Sequence, residues 1–215
     1  MLTAIHDFLN ITINGYHLGD VFWNLTLILL SYYLFFALGY IVKNVKSKIK
    51  HLYFWLVFFV FYLFLPNTLY LVTDVRHLLD YCPRNSYLDM CLNGAWIIFF
   101  FFIYALIGWL TFYHLMEKMF TLLKEQYNIY VANFFRYFSL IIMPLAVLLG
   151  LVNRLNSWQM FSHPAQVLHT VASYFTEWRY LQQWLSIIII TMLMYALTYI
   201  FLKQLAAPTK SRKKL

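Results

Sequence analysis

Long apolar stretches alternate with short polar connections along this chain of 215 residues. A helix needs about 20 apolar residues to cross a hydrocarbon core of about 30 Å. Five stretches meet that requirement, at about residues 21–42, 52–72, 91–115, 137–155 and 184–203. The pattern predicts an all-α fold, a polytopic membrane bundle of five transmembrane helices that forms a single domain over residues 1–215.

The stretch between the fourth and fifth spans is too polar to cross a membrane. Over residues 164–183 its large apolar side chains recur at helical spacing. They are Val167, Val171, Tyr174, Phe175 and Trp178. The spacing predicts an interfacial helix that lies on the membrane surface.

The composition indicates that lipid surrounds much of the protein's surface. The chain is 63% hydrophobic and only 11% charged, whereas soluble domains carry roughly a quarter charged residues. The formal net charge is +8, but the basic residues follow the connections between spans and do not cluster on one folded face. We therefore expect no nucleic-acid partner.

The lysines predict the orientation. Twelve of the sixteen basic residues fall in the first connection, the third connection and the tail. The positive-inside rule places these segments in the cytoplasm, so the N-terminus is expected outside and the C-terminus inside. Six of the eight acidic residues fall on the opposite side. The expected location is a bacterial cell membrane, with the chain as a multi-pass protein.

The second span breaks the rule that charges collect between apolar runs. Its sequence "FLPNTLYLVTDVRHLLDY" contains Pro66, which is expected to kink or restart the helix. Asn67, Tyr70, Asp74 and His77, followed by Tyr81, recur at the spacing of one helical face. Ionisable groups inside a membrane helix are costly against lipid, so this stripe should face the bundle.

The fourth span supplies a second polar face at its outer end. Gly150, Asn153, Arg154 and Ser157 are spaced to share one side of a continuous helix. By residue count Arg154 reaches the height of Asp74. Two interpretations stay open: a structural clasp in which Asp74 pairs with Arg154, or an outward-facing pocket that binds a ligand.

The sequence therefore predicts a set of ligand-binding candidates around this height. They are Asn67, Tyr70, Asp74, His77, Asn153, Arg154, Asn156 and Trp158. His77 and Asp74 are also candidate catalytic bases, although no recognisable catalytic signature accompanies them. No HExxH or paired CxxC motif is present, and we predict no metal and no cofactor. Whether Cys82 and Cys91, which bracket an outer loop, form a disulfide stays open.

Two segments, "FLPNTLYLVTDVRHL" and "RLNSWQMFSHP", resemble a bacterial multi-spanning family catalogued as domain of unknown function 1361. The resemblance runs from the second span to the fourth. The matching positions are Pro66, Asn67, Tyr70, Thr73, Asp74, His77, Gly150, Arg154, Asn156, Ser157 and Trp158. Leu151 and Gln159 depart from it, because the family pattern has arginine and aspartate there. The resemblance implies no established activity.

Three functions remain compatible with these residues. The first is a protein that binds a polar ligand or a lipid head group at the outer leaflet, with Arg154 on the anionic group, His77 and Asp74 orienting it, and Trp158 setting its depth. The second is a membrane hydrolase or transferase that acts on a lipid-linked substrate, with His77 or Asp74 as base. The third is a small transporter or transporter subunit. Membrane lipid is the expected partner, and the sequence does not predict an oligomeric state.

Overall fold

A computed structural model of the chain describes residues 12–13, 16–45, 50–77 and 95–206. Two short strands, β1 (Thr12–Ile13) and β2 (Tyr16–His17), pair antiparallel before the first helix. The helices that follow are α1 (Leu18–Asn44), α2 (Lys50–Phe64), α3 (Pro66–Thr73), a 3₁₀ turn (Asp74–Arg76), α4 (Ala95–Gln126), α5 (Ile129–Leu151), α6 (Gln159–Ser162), α7 (Pro164–Thr176) and α8 (Trp178–Ala206). The fold is all-α, as the sequence predicts.

Five helical segments within the described part of the chain are long and apolar enough to cross a membrane. They are α1, the segment Lys50–Arg76 that combines α2, α3 and the 3₁₀ turn, and then α4, α5 and α8. The chain is therefore a multi-pass membrane protein. Its successive spans run antiparallel, which gives the bundle two ends. The Asp74 end contains Leu18, Asp74 and Leu151; the Lys50 end contains Lys50 and Ile129.

The observed helices differ from the predicted spans mainly in length. Helix α4 continues eleven residues past the predicted limit, from 115 to 126, because its buried face continues through Met116, Met119 and Leu123. Helix α5 begins eight residues before the predicted start. Asn128 caps it there, since its side-chain oxygen accepts a hydrogen bond from Val131 N at 2.9 Å.

The main core lies between the spans. It contains fully buried side chains from successive spans, among them Leu38, Phe61, Phe112, Met116 and Met143. Lipid is as apolar as leucine, so side-chain packing rather than a hydrophobic driving force holds such helices together. Close packing is consequently important in this bundle.

Gly108 lies at a close approach between α4 and α3. A Cβ atom built there would lie 2.6 Å from both Leu71 Cβ and Thr68 O. Those distances are too short for any larger residue, so glycine is what allows α4 to pack against α3. This contact brings the Asp74 end of α3 against α4.

The helix breaks before Pro66, as the sequence predicts. Leu65 falls outside both α2 and α3, and α3 restarts with Pro66 as its first residue. The carbonyl of Phe64 accepts hydrogen bonds from Ser31 Oγ at 3.2 Å and Asn67 Nδ2 at 2.9 Å. Pro66 and Ser31 are buried, so protein groups satisfy the loosened backbone instead of lipid facing it.

The polar stretch after α5 contains a helix, but a shorter one than 164–183. Helix α7 ends at Thr176, Glu177 follows it, and residues 178–183 belong to the last span. Val167 and Tyr174 are buried. Tyr174 packs in a cluster with Leu145, Leu148 and Trp184, so α7 lies against α5 and α8.

Candidate functional site

Asp74 is the most buried charged residue among the described residues at its end of the bundle, with 2% of its surface exposed. It begins the 3₁₀ turn that continues α3. Asn24 on α1 donates a hydrogen bond from Nδ2 to Asp74 Oδ2 at 3.0 Å. Buried carboxylates need such partners, because an unpaired one is strongly destabilising. An amide on α1 therefore holds Asp74 in place.

The structure does not form the clasp between Asp74 and Arg154, which was one of the two interpretations left open by the sequence. Within the part of the chain that the structure describes, Arg154 is exposed and forms no ion pair. Helix α5 ends at Leu151, so Asn153, Arg154 and Ser157 do not continue its helical face. A helix-face argument holds only while the helix lasts, and this one ends three residues before Arg154.

The chain reverses direction at Arg154. Leu155 N donates to Leu149 O at 3.0 Å, and Arg154 between them has φ 57°. Helices often end on such a left-handed residue, but glycine usually occupies the position because it has no Cβ. The backbone strain at an arginine is a reason to look for a function there.

Arg76 is the arginine that joins the two predicted polar faces. It is partly buried, and its guanidinium donates to three neutral acceptors. These are His77 Nε2 at 3.3 Å, Tyr70 Oη at 3.2 Å and Leu151 O at 3.4 Å. No carboxylate among the described residues forms an ion pair with it. Arg76 is not among the site residues predicted from sequence, because it falls off the helical face of residues 67, 70, 74 and 77.

Tyr70 and His77 position that guanidinium from two sides. The ring of Tyr70 packs on Gly150, where an added Cβ would lie 3.2 Å from Tyr70 Cε2. The ring of His77 is stacked with Phe101 of α4, with ring centroids 6.5 Å apart. Arg76 is therefore held between α5 on one side and α4 on the other.

The segment after α5 contacts α3 and α1. Asn67 Nδ2 donates to Ser157 Oγ at 3.2 Å. Trp158 packs edge-on against Trp23, with ring centroids 6.0 Å apart. Both tryptophans are exposed, as is usual where aromatic residues mark a membrane interface.

Asn153 and Asn156 have local structural partners. Asn153 Oδ1 accepts a hydrogen bond from Tyr174 Oη at 3.0 Å. Burial raises the pKa of Tyr174 to about 12, so its hydroxyl stays protonated and remains a donor near neutral pH. Asn156 is exposed, and its backbone N donates to Gln159 Oε1 at 2.5 Å. Gln159, where the resemblance implied aspartate, supplies that acceptor with its amide.

The structure thus divides the predicted residues into two groups. Tyr70 and His77 meet at the Arg76 guanidinium, and Arg154 lies three residues beyond the Leu151 carbonyl that Arg76 contacts. Asp74 faces α1 and Asn67 faces the 157–158 turn. Tyr81, Cys82 and Cys91 lie outside the described residues. A partly buried cation with neutral neighbours, next to an exposed arginine, is suited to bind an anion.

A second charged cluster lies in the Lys50 half of the bundle. Arg136 Nη2 on α5 donates to Glu117 Oε1 and Oε2 on α4, at 2.9 and 3.0 Å. Tyr195 on α8 donates its hydroxyl to Glu117 Oε1. Glu117 and Arg136 entered the prediction of orientation only through the counts of acidic and basic residues. An acidic residue in the lysine-rich half of the chain is the signal that could have identified this pair.

Comparison with known proteins gives one match. Residues 23–197 match the model of the family described as "Protein of unknown function (DUF1361)". No curated protein and no solved structure is significantly similar to the chain. The match covers α1 from Trp23 through most of α8 and includes both polar motifs. The chain therefore belongs to the DUF1361 family, as the motifs around Asp74 and Arg154 predict.

Proposed function

We propose that the protein is a membrane-embedded binding protein that holds an anionic lipid head group at the Asp74 end of the bundle. The observation that carries the proposal is Arg76, a partly buried cation that donates only to neutral acceptors among the described residues. A partly buried cation that forms no ion pair with a described residue is costly. An anion that accepts from the guanidinium would lower that cost, and Arg can bind phosphate through two parallel hydrogen bonds.

The surroundings favour a lipid over a soluble anion. Trp23 and Trp158 form an exposed aromatic pair beside the cluster. Such rings are amphipathic and lie at head-group level in membranes. Arg154, which is exposed and has a left-handed backbone, is a second cation three residues after Leu151. The proposed ligand therefore places its phosphate between Arg76 and Arg154 and its chains beside the tryptophans.

The proposed orientation puts this site at the outer leaflet of the cell membrane. The lysines of the described helices support it, since Lys43, Lys50, Lys118, Lys124 and Lys203 all belong to the Lys50 half. A reporter enzyme fused after Leu215 should be found active on the cytoplasmic side of the membrane. Activity outside would place the Asp74 end in the inner leaflet.

An enzymatic function receives less support from the same geometry. His77 Nε2 already accepts a hydrogen bond from Arg76 Nε, and Asp74 is buried and bonded to Asn24. A general base must reach the proton that it abstracts. Asp74 is closed off from the surface by its burial, and the Nε2 lone pair of His77 is already used by Arg76.

The binding test uses the full chain in mixed-lipid nanodiscs. We expect the wild-type protein to retain phosphatidylglycerol over phosphatidylcholine in native mass spectrometry. Arg76→Gln should remove one retained anionic lipid, and Arg154→Asn should weaken its retention while leaving the fold intact. Arg179→Gln is the control, because Arg179 is exposed and begins α8 at the same end of the bundle.

Equal lipid retention in wild type and both variants would contradict the proposal. Arg76→Gln removes three hydrogen bonds and could unfold the 3₁₀ turn. Arg154→Asn removes no interaction with a described side chain, so its result decides the question even if Arg76→Gln is unstable.

A further inference from the structure

The surface between α5 and α8 contains a cavity in the Lys50 half of the bundle. Its volume is about 270 Å³. Helix α5 contributes Arg136, Tyr137 and Leu140, and α8 contributes Met192, Ala196 and Tyr199. From Phe101, which stacks with His77, to Glu117, which bonds Arg136, α4 advances sixteen residues, or about 24 Å. The cavity is therefore distinct from the cluster at the Asp74 end.

Arg136 is the charged side chain of this cavity, and its hydrogen-bonding capacity is only partly used. Its Nη2 donates to Glu117, while its Nε is buried and has no partner among the described residues. Its guanidinium lies over the ring of Phe120, 3.6 Å from the centroid. Buried donors without partners are rare, but this Nε has no accessible surface, so a group that enters the cavity can meet only the Nη atoms of Arg136.

The charged residues at the cavity, Arg136, Glu117 and Lys203, leave one positive charge in excess. Arg136 is paired with Glu117, whose Oε1 also accepts from Tyr195. Lys203 adds a second cation near the cavity, because its Nζ lies 5.9 Å from the centroid of the Tyr199 ring. One anion at this position would complement that excess.

The lining distinguishes a lipid from a free anion. Apart from Arg136 and the tyrosine hydroxyls, it is aliphatic and aromatic, with Leu140, Met192 and Ala196. Ala196 and Leu197 are exposed on a span that is largely lipid-facing. The cavity's volume of about 270 Å³ lies just below the roughly 300–1,000 Å³ of small-molecule pockets. That size suits a head group alone, with the acyl chains outside the cavity along α5 and α8.

We propose that this cavity binds the phosphate head group of one anionic phospholipid, drawn from the leaflet at the Lys50 end. Arg136 donates to the phosphate from the cavity wall, Lys203 neutralises it from the mouth, and the acyl chains cover the exposed faces of α5 and α8. Basic pockets between transmembrane helices are known to bind anionic lipids in this way.

The decisive variant fills the cavity without changing a charge. Ala196→Trp places a large ring in the cavity from the exposed side of α8, and Leu197→Trp places the same ring on the neighbouring exposed position as a matched control. With the full chain in phosphatidylglycerol–phosphatidylcholine nanodiscs, we expect Ala196→Trp to lose one tightly retained phosphatidylglycerol in native mass spectrometry. Leu197→Trp should retain it.

The charge variants measure the electrostatic contribution. Lys203→Gln should weaken phosphatidylglycerol retention about fivefold, which is the effect of one basic group near a membrane surface. Exposed Lys43, in the last turn of α1, is the matched control: Lys43→Gln should change nothing. Unchanged phosphatidylglycerol retention in Ala196→Trp, or equal retention of phosphatidylcholine by the wild type, would overturn the proposal. Combining Arg76→Gln with Ala196→Trp in one protein distinguishes this lipid from the one proposed at the Asp74 end.

Discussion

The two ends of the bundle treat their charges differently. At the Lys50 end, Arg136 and Glu117 pair directly, and Tyr195 adds a third hydrogen bond. At the Asp74 end, the acid and the base form no ion pair with each other: Asp74 bonds an amide, and Arg76 bonds neutral acceptors among the described residues. Direct pairing compensates charge at one end, whereas at the other end each charged side chain has neutral hydrogen-bond partners.

The difference has a structural origin. Asp74 and Arg76 are two residues apart on a 3₁₀ turn, so their side chains point to different neighbours. Glu117 and Arg136 lie on two antiparallel helices joined by a short connection, and they meet at similar depth. An intramembrane charge is expensive at either end. At the Asp74 end, close packing of the helices is therefore needed to keep the two charged side chains with their separate partners.

The largest expected effect comes from loosening those contacts. Gly108→Ala would place a Cβ 2.6 Å from Leu71 Cβ and Thr68 O, so α3 and α4 must separate. Overpacking of this kind costs roughly 1–3 kcal/mol, occasionally more. We expect a clear loss of thermal stability in detergent and weaker lipid retention at the Asp74 end. Thermal unfolding followed by circular dichroism measures the first effect.

Gly39→Ala is the matched control, because no atom outside the local helix lies within 4 Å of a Cβ at that position. Alanine also favours a helix over glycine by about 1 kcal/mol. The control should be as stable as the wild type or more so. A Gly108→Ala protein that is equally stable would mean that α3 and α4 do not pack as closely as described.

A smaller effect distinguishes paired from separated charges. In a double-mutant cycle, Glu117→Gln and Arg136→Gln should be strongly non-additive, since residues in contact couple by about 0.5–3 kcal/mol. Asp74→Asn and Arg154→Gln should be additive within about 0.5 kcal/mol, because the two side chains do not meet. Chemical unfolding in detergent provides the four free energies of each cycle. Strong coupling between Asp74 and Arg154 would restore the clasp that the structure excludes.

The spans could be predicted from sequence because length and apolarity are local properties. The break at Pro66 was equally accessible, since proline cannot donate the hydrogen bond that a continuous helix requires. The partners of Asp74 were not. Asn24 lies fifty residues away on α1, and nothing in its own segment, "VFWNLTLILL", marks it as the group that meets a carboxylate.

The contacts among the site residues could not be predicted from the sequence for a related reason. The helical-face argument extended α5 through Ser157 and gave Arg154 a position facing Asp74, but α5 ends at Leu151. Arg76 was left out of the predicted site because the spacing of an α-helix was applied to it. It lies on a 3₁₀ turn, where the rotation per residue is different. Motif spacing identified the correct neighbourhood, while the contacts depended on where two helices end.

The smallest expected effect concerns the backbone at Arg154. Its φ of 57° is unfavourable for an ordinary side chain, by about 1–2 kcal/mol, and asparagine tolerates it better. If the arginine is retained for ligand binding at some cost to stability, Arg154→Asn should raise the free energy of unfolding by up to about 1 kcal/mol. Equilibrium unfolding without added anionic lipid measures this change. Arg179→Asn, an exposed arginine on the first turn of α8, should not stabilise the protein because its backbone is already helical. A loss of stability in Arg154→Asn alone would show that the side chain supports the turn, and the strain would then carry no functional meaning.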